Sequence, residues 1–242
     1  MRAGALSAWW SESGGEACTL RPLENGFPLY RWGSAFYNLI QRKLPLFHYL
    51  YFHFLEWASL HRGPRRILSS GKFARQVAEF TPDLVLSVHA HLNHGYFRLC
   101  EDALPEKRMK FVIFCGELAD GNGFSRHWIN PLADLFSGPF EETCEAARRR
   151  GMPADRTLAS GPLLRKPFYD RPGQPGRDEF LAKYDLSPDL KTYVLGTGAN
   201  GVNRHRQVIE AFNRSGNPCQ LLALCGRNES TLTDLNRIKK SS

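Results

Sequence analysis

From residue 82 onward, short apolar runs alternate with stretches of helical spacing. "DLVLSV" (83–88) is followed by "GYFRLCEDAL" (95–104), whose apolar side chains recur three and four apart and predict a helix. "KFVIFCGEL" (110–118) and "ADLFSG" (133–138) predict the next two strands. "PFEETCEAARRRGM" (139–152) predicts a helix, with acids near its start and arginines near its end, as the helix dipole favours. "RTLASGPLL" (156–164) follows.

After the Pro- and Gly-rich "DRPGQPGRDEF" (170–180) the theme repeats. "TYVLGTG" (192–198) and "CQLLALCG" (219–226) predict strands, and 203–214 and the C-terminal residues predict helices. Such alternation predicts an α/β protein with parallel sheets covered on both faces. The 170–176 segment is the expected boundary between a first domain, 1–170, and the start of a second, 171–242. The second part has two strands, too few to close a sheet. At the other end, "AGALSAWWSESG" (3–14) reads as a helix with no strand before it, whereas such folds normally open with a strand and a Gly-rich turn. Both ends read as clipped, which leads us to expect a piece of a longer protein.

Residues 28–75 break the alternation, being rich in aromatic and basic side chains. Between 31 and 75 stand eight Lys and Arg against the single Glu56, which accounts for most of the net charge of +8. Arg31, Trp32, Arg42, Lys43, Trp57, Arg65 and Arg66 mix rings with cations, a combination that suits the headgroup level of an anionic membrane. The alternative is a helical pair packed on its own domain with a solvated basic face. "PLFHYLYFHFLEWASL" (45–60) is interrupted by His48, His53 and Glu56 and is shorter than a spanning helix needs. "MRAGALSAWWSESGG" lacks the apolar core of a signal peptide. The composition, 42% apolar and 23% charged, is that of a globular protein. Six scattered cysteines, with no CxxC pair, fit reduced thiols in a cytosolic setting.

Three stretches offer chemistry. "SVHAHLNH" (87–94) ends a strand with three histidines. No acid or cysteine stands at a recognised zinc spacing, and there is no HExxH, so no metal is expected. His89 and His94 would line a cleft at the carboxyl ends of the strands, or cap the next helix near Asn93. "CGELADGNGFSRHWINP" (115–131) brings Glu117, Asp120, His127 and Trp128 onto a Gly-rich loop that would suit a polar acceptor, or would be an ordinary surface loop. "GTGANGVNRH" (196–205) sets glycines between a strand and a helix, where backbone N–H groups approach a phosphate, or where the chain simply turns. No acidic residue follows at dinucleotide spacing.

Taken together these stretches resemble the monogalactosyldiacylglycerol synthase family and its bacterial diacylglycerol glucosyltransferase relatives. "PDLVLSVHAHLNH" is similar to a family stretch of Pro-Asp, apolar strand, Ser-Val-His and a later His. "HWINPLADLFSGPFEETCEAARRRGM" looks like the family's Trp-containing loop, strand and helix. "GTGANG" stands at its Gly-rich loop, and "LLALCGRNESTL" resembles its Cys-Gly-Arg-Asn element.

The resemblance implies a GT-B fold of two Rossmann-like domains. It implies inverting transfer of a hexose from a UDP-sugar to diacylglycerol at a membrane surface, without a metal or other cofactor. It assigns acceptor binding to His89, His94, Glu117, Asp120, His127 and Trp128, and donor binding to Gly196, Thr197, Gly198, Asn200, Gly226, Arg227 and Asn228. The family's presumed base lies in a Gly-Gly-His loop that would precede Met1, so no catalytic residue is expected in the chain. The rest of the donor site would follow Ser242. Gly116-Glu117 stand where the family often has Thr-Asp. The expected partners are an anionic lipid surface, diacylglycerol and a nucleotide sugar, not nucleic acid. The expected location is cytoplasmic and peripheral to the membrane. Two rivals are a non-catalytic lipid-binding remnant of the same fold and a nucleic-acid-binding protein that uses the basic segment.

Overall fold

The computed structural model describes residues 2–25, 32–33, 53, 67, 70–118, 124–169, 176–196, 205–226 and 228–241. These residues divide into two units, one up to Tyr169 and one from Gly176.

In the first unit, four parallel strands lie side by side in chain order: β1 (Leu84–Ser87), β2 (Lys110–Phe114), β3 (Leu135–Gly138) and β4 (Thr157–Ala159). Val85 pairs with Phe111, Ile113 with Phe136 and Phe136 with Thr157. Paired residues of parallel strands point to the same face, so these side chains form one stripe. Two crossover helices, α4 (Gly95–Ala103) and α5 (Glu141–Arg149), supply Phe97, Ala146 and Ala147 to the same core. Phe111, Ile113 and Phe136 are almost wholly buried, and each such burial contributes about 1.5–3 kcal/mol. Phe97 stacks on Phe111 with centroids 4.1 Å apart.

The opposite face is covered unevenly. Phe114 and Ser137 are buried there, whereas Leu84, Leu86 and Leu158 keep 39%, 37% and 52% exposure. The expected cover on both faces is therefore partial among the described residues. Helix α1 (Arg2–Glu12) is tied to the carboxyl end of β2 by Arg2, whose Nη2 donates to the Gly116 carbonyl at 2.8 Å. Its other end meets residues 164–169, where Trp9 Nε1 donates to the Leu164 carbonyl and Lys166 pairs with Glu12 at 2.5 Å. A short helix, α2 (Pro22–Asn25), precedes α3 (Ser70–Phe80). Helix α3 packs on α4 through Phe73, whose ring meets Tyr96 edge-on at 5.1 Å.

The second unit holds α6 (Gly176–Lys183), the parallel pair β5 (Lys191–Gly196) and β6 (Cys219–Leu224), α7 (His205–Ser215) and α8 (Glu229–Ser241). The chain is thus α/β with parallel sheets, as the alternation predicts.

Candidate functional site

The loop after β1 and the described part of the loop after β2 each contain a 3-10 turn, Ala90–Leu92 and Arg126–Trp128, and the two turns pack together. Each is capped in the same way. His89 Nδ1 accepts from the His91 N–H, and Ser125 Oγ accepts from the His127 N–H. These side chains satisfy backbone donors that a short turn leaves over. Two buried asparagines then latch the turns. Asn93 Nδ2 donates to the His127 carbonyl at 3.1 Å, and Asn130 Nδ2 donates to the Asn93 carbonyl at 2.5 Å.

The latch gathers four imidazoles. The rings of His91 and His127 lie 4.9 Å apart, those of His94 and His127 6.4 Å, and those of His89 and His91 5.6 Å. His127 is 2% exposed, while His89 is exposed and His91 and His94 are half-buried. Among the described residues no group of three or more His, Cys, Asp and Glu is arranged to hold a metal ion. The cluster is a patch of hydrogen-bonding rings at the carboxyl edge of the sheet, able to donate to or accept from a polar ligand.

Of the residues predicted for the acceptor, His89, His94 and His127 are brought into this patch. Trp128 sits one residue on but is 3% exposed and belongs to the core with Phe124 and Ile129. Glu117 is held by Arg2, with Nη1 and Oε1 3.2 Å apart, and its carbonyl accepts from Thr143 Oγ1. A side chain in place of Gly116 would strike the Arg2 guanidinium, its Cβ falling 2.3 Å from Nε. Asp120 lies outside the described residues. Sequence spacing gave Asn130 no role and left His91, one of the three histidines of 87–94, out of the acceptor residues.

In the second unit, the carboxyl ends of β5 and β6 bring Gly196 level with Leu224. Gly226 takes a positive φ of 55°, which favours glycine, and turns the chain toward α8. Asn228 precedes that helix, and its Oδ1 accepts from the Thr231 N–H at 3.2 Å, a capping arrangement. Of the predicted donor residues Gly196, Gly226 and Asn228 are described and share this edge, whereas Thr197, Gly198, Asn200 and Arg227 lie outside the described residues. Sequence reasoning passed over His205, which is fully buried with Nε2 3.1 Å from the Leu224 carbonyl. This contact ties the first turn of α7 to the end of β6. Its position closing the Gly-rich stretch was the available signal.

Of the residues predicted for the membrane, Trp32 is described and is 77% exposed. Arg31, Arg42, Lys43, Trp57, Arg65 and Arg66 lie outside the described residues. Among the described residues no helix is long and apolar enough to cross a membrane.

No family model matches the chain. Among curated proteins, it is similar to plant enzymes. A probable monogalactosyldiacylglycerol synthase (chloroplastic) of Glycine max is 25% identical over 182 residues, which is 70% of this chain and 33% of that protein. The monogalactosyldiacylglycerol synthase of Spinacia oleracea is 24% identical over 173 residues, 68% of this chain and 32% of that protein. Synthase 1 of Arabidopsis thaliana is 21% identical over 211 residues, 79% of this chain and 39% of that protein. The chain thus resembles monogalactosyldiacylglycerol synthases, and spans roughly a third of the length of the curated relatives it matches.

Proposed function

We propose that this chain is part of a GT-B glycosyltransferase that moves a hexose from a UDP-sugar to diacylglycerol, with inversion, at a membrane surface. The observation that carries the reading is the similarity to monogalactosyldiacylglycerol synthases along more than two thirds of the chain. Residues 1–170 would face acceptor and membrane, and 171–242 would open the nucleotide-sugar domain. The protein would lie peripherally on the cytoplasmic side of the membrane, and the transfer would need no metal.

In such a transfer the glycerol hydroxyl bonds to the anomeric carbon as the bond from that carbon to UDP breaks. The hydroxyl proton leaves to a base. His89, His94 and His127 would hold the glycerol hydroxyls, with Glu117 and Asp120 on the same loop and the buried Trp128 packed behind it. The carboxyl edge of β5 and β6, with Gly196, Thr197, Gly198, Asn200, Gly226, Arg227 and Asn228, would take the donor. Backbone N–H groups there suit a diphosphate at the N-terminus of α7.

The longer protein of which this chain would be part, given liposomes containing diacylglycerol and radiolabelled UDP-galactose or UDP-glucose, tests the reading, and a labelled glycolipid is the expected product. The alternative is a lipid-binding protein of the same fold without transfer. Binding that depends on diacylglycerol, with no labelled lipid from either donor, would select it. Gly198→Val is expected to weaken UDP-sugar binding by about tenfold, ~1.4 kcal/mol, and to leave liposome binding unchanged. Unchanged donor affinity in the folded variant would reduce the turn to a structural role.

A further inference from the structure

A groove of about 680 Å³ runs along one side of α4, within the size range of small-ligand sites. His94, Phe97, Arg98 and Glu101 line it at intervals of three and four, so they share one helix face. The seven positions from His94 to Glu101 make it about 10 Å long. It begins beside the histidine patch and ends at the opposite, N-terminal edge of the sheet. There, Arg108 stands two residues before β2, Asp134 just before β3 and Arg156 just before β4. Neighbouring strands lie about 4.8 Å apart, so the roots of Arg108 and Arg156 are about 10 Å apart and their side chains can converge.

The charges in this groove are unequally committed. Lys110 Nζ pairs with Asp134 Oδ1 at 2.6 Å, and Asp134 Oδ2 accepts from the Phe111 N–H at 2.9 Å. Those two charges cancel. Arg98, Arg108 and Arg156 are exposed, and among the described residues none of their guanidinium groups makes a hydrogen bond or ion pair. Glu101 offsets one of the three, leaving a surplus of two positive charges. Beneath them Phe97 and Met109 give an apolar floor, both buried.

We propose that this groove binds an organic phosphomonoester through Arg98, Arg108 and Arg156. A phosphomonoester carries about −1.5 to −2 charges at pH 7, which matches the surplus, and its oxygens accept from guanidinium forks. Its carbon skeleton would rest on Phe97 and Met109. The monoester belongs either to a soluble metabolite or to a lipid headgroup.

Titration of the full chain with glycerol 3-phosphate, and flotation with phosphatidylcholine vesicles with and without phosphatidic acid, test both sources. Arg108→Ala/Arg156→Ala removes exposed side chains and should leave the fold intact. Binding of glycerol 3-phosphate is expected, weakened at least about tenfold in that double variant. Glu101→Gln should strengthen it, and Lys166→Ala, outside the groove, should leave it unchanged. Capture by phosphatidic acid vesicles that falls in the double variant, without affinity for glycerol 3-phosphate, would place the monoester on a lipid. No affinity for either probe, or equal affinity in the double variant, overturns the proposal.

Discussion

Cys100 and Cys115 are kept as thiols by the core around them. Burial pushes both up to about 12, with the Glu101 charge adding to the effect at Cys100. At Cys115 burial also outweighs the hydrogen bond from the Glu117 backbone and the nearby Arg2 charge, both of which favour the thiolate. In the unfolded chain these thiols ionise near 9, so above that pH the folded state binds more protons than the unfolded one. Stability is therefore expected to fall as pH rises from about 9 toward about 12. Urea unfolding across that range should show the slope, and Cys100→Ala should make it shallower. An unchanged slope in the variant would assign the loss to other groups. Cys18, which is exposed, should react with a thiol reagent in the native protein, well before Cys100, Cys115 and Cys144. At this scale the sequence made His89, His94 and His127 legible, because histidines following an apolar strand stand out. It hid Asn93 and Asn130, whose bonds run to backbone 34 and 37 positions away. It also made Trp128 look like a ring on a surface loop, although that ring packs in the core with Phe124 and Ile129.

The asparagine latch makes the two 3-10 turns behave as one element. Asn93→Ala leaves the His127 carbonyl without its donor in a buried place, which costs about 1–3 kcal/mol. Its melting temperature should drop, and hydrogen exchange should rise in both turns together. Exchange confined to one turn would mean that they are not coupled. Asp134 plays a comparable part at the start of the sheet. Burial works against its charge, yet the hydrogen bonds from Lys110 and Phe111 and the charges of Lys110 and Arg108 hold its carboxyl below the usual range. Its contribution is present at neutral pH and is lost as pH falls through that lowered value. Asp134→Asn should flatten this acid limb of the stability profile in urea titrations. Helices and strands were the most legible elements, since β2, β3 and α5 fall inside the runs that predict them. Helix α3 was hard to separate from the basic aromatic stretch before it, because its own apolar positions, Phe73 and Val77, sit among cations.

For the whole molecule, most of the net charge resides in residues 31–75. Exposed charges are screened beyond about 10 Å at 0.1 M salt. Flotation on anionic liposomes should therefore rise with anionic lipid and fall with salt, and equal binding to neutral liposomes in high salt would remove the electrostatic mechanism. Tight DNA binding without lipid binding would favour the nucleic-acid rival. Arg31→Ala/Arg42→Ala/Lys43→Ala should weaken flotation without altering the unfolding of the first unit's sheet. The order of that sheet has a bearing on how the chain is made. Each of β2, β3 and β4 pairs with the strand synthesised just before it. A chain leaving the ribosome at about 5–20 residues per second can therefore add each strand to a partner already waiting. Among the described residues the four strands pair in the order in which they are made, so nascent chains that have emerged past Ser160 can already hold the pairings of β1 with β2, β2 with β3 and β3 with β4.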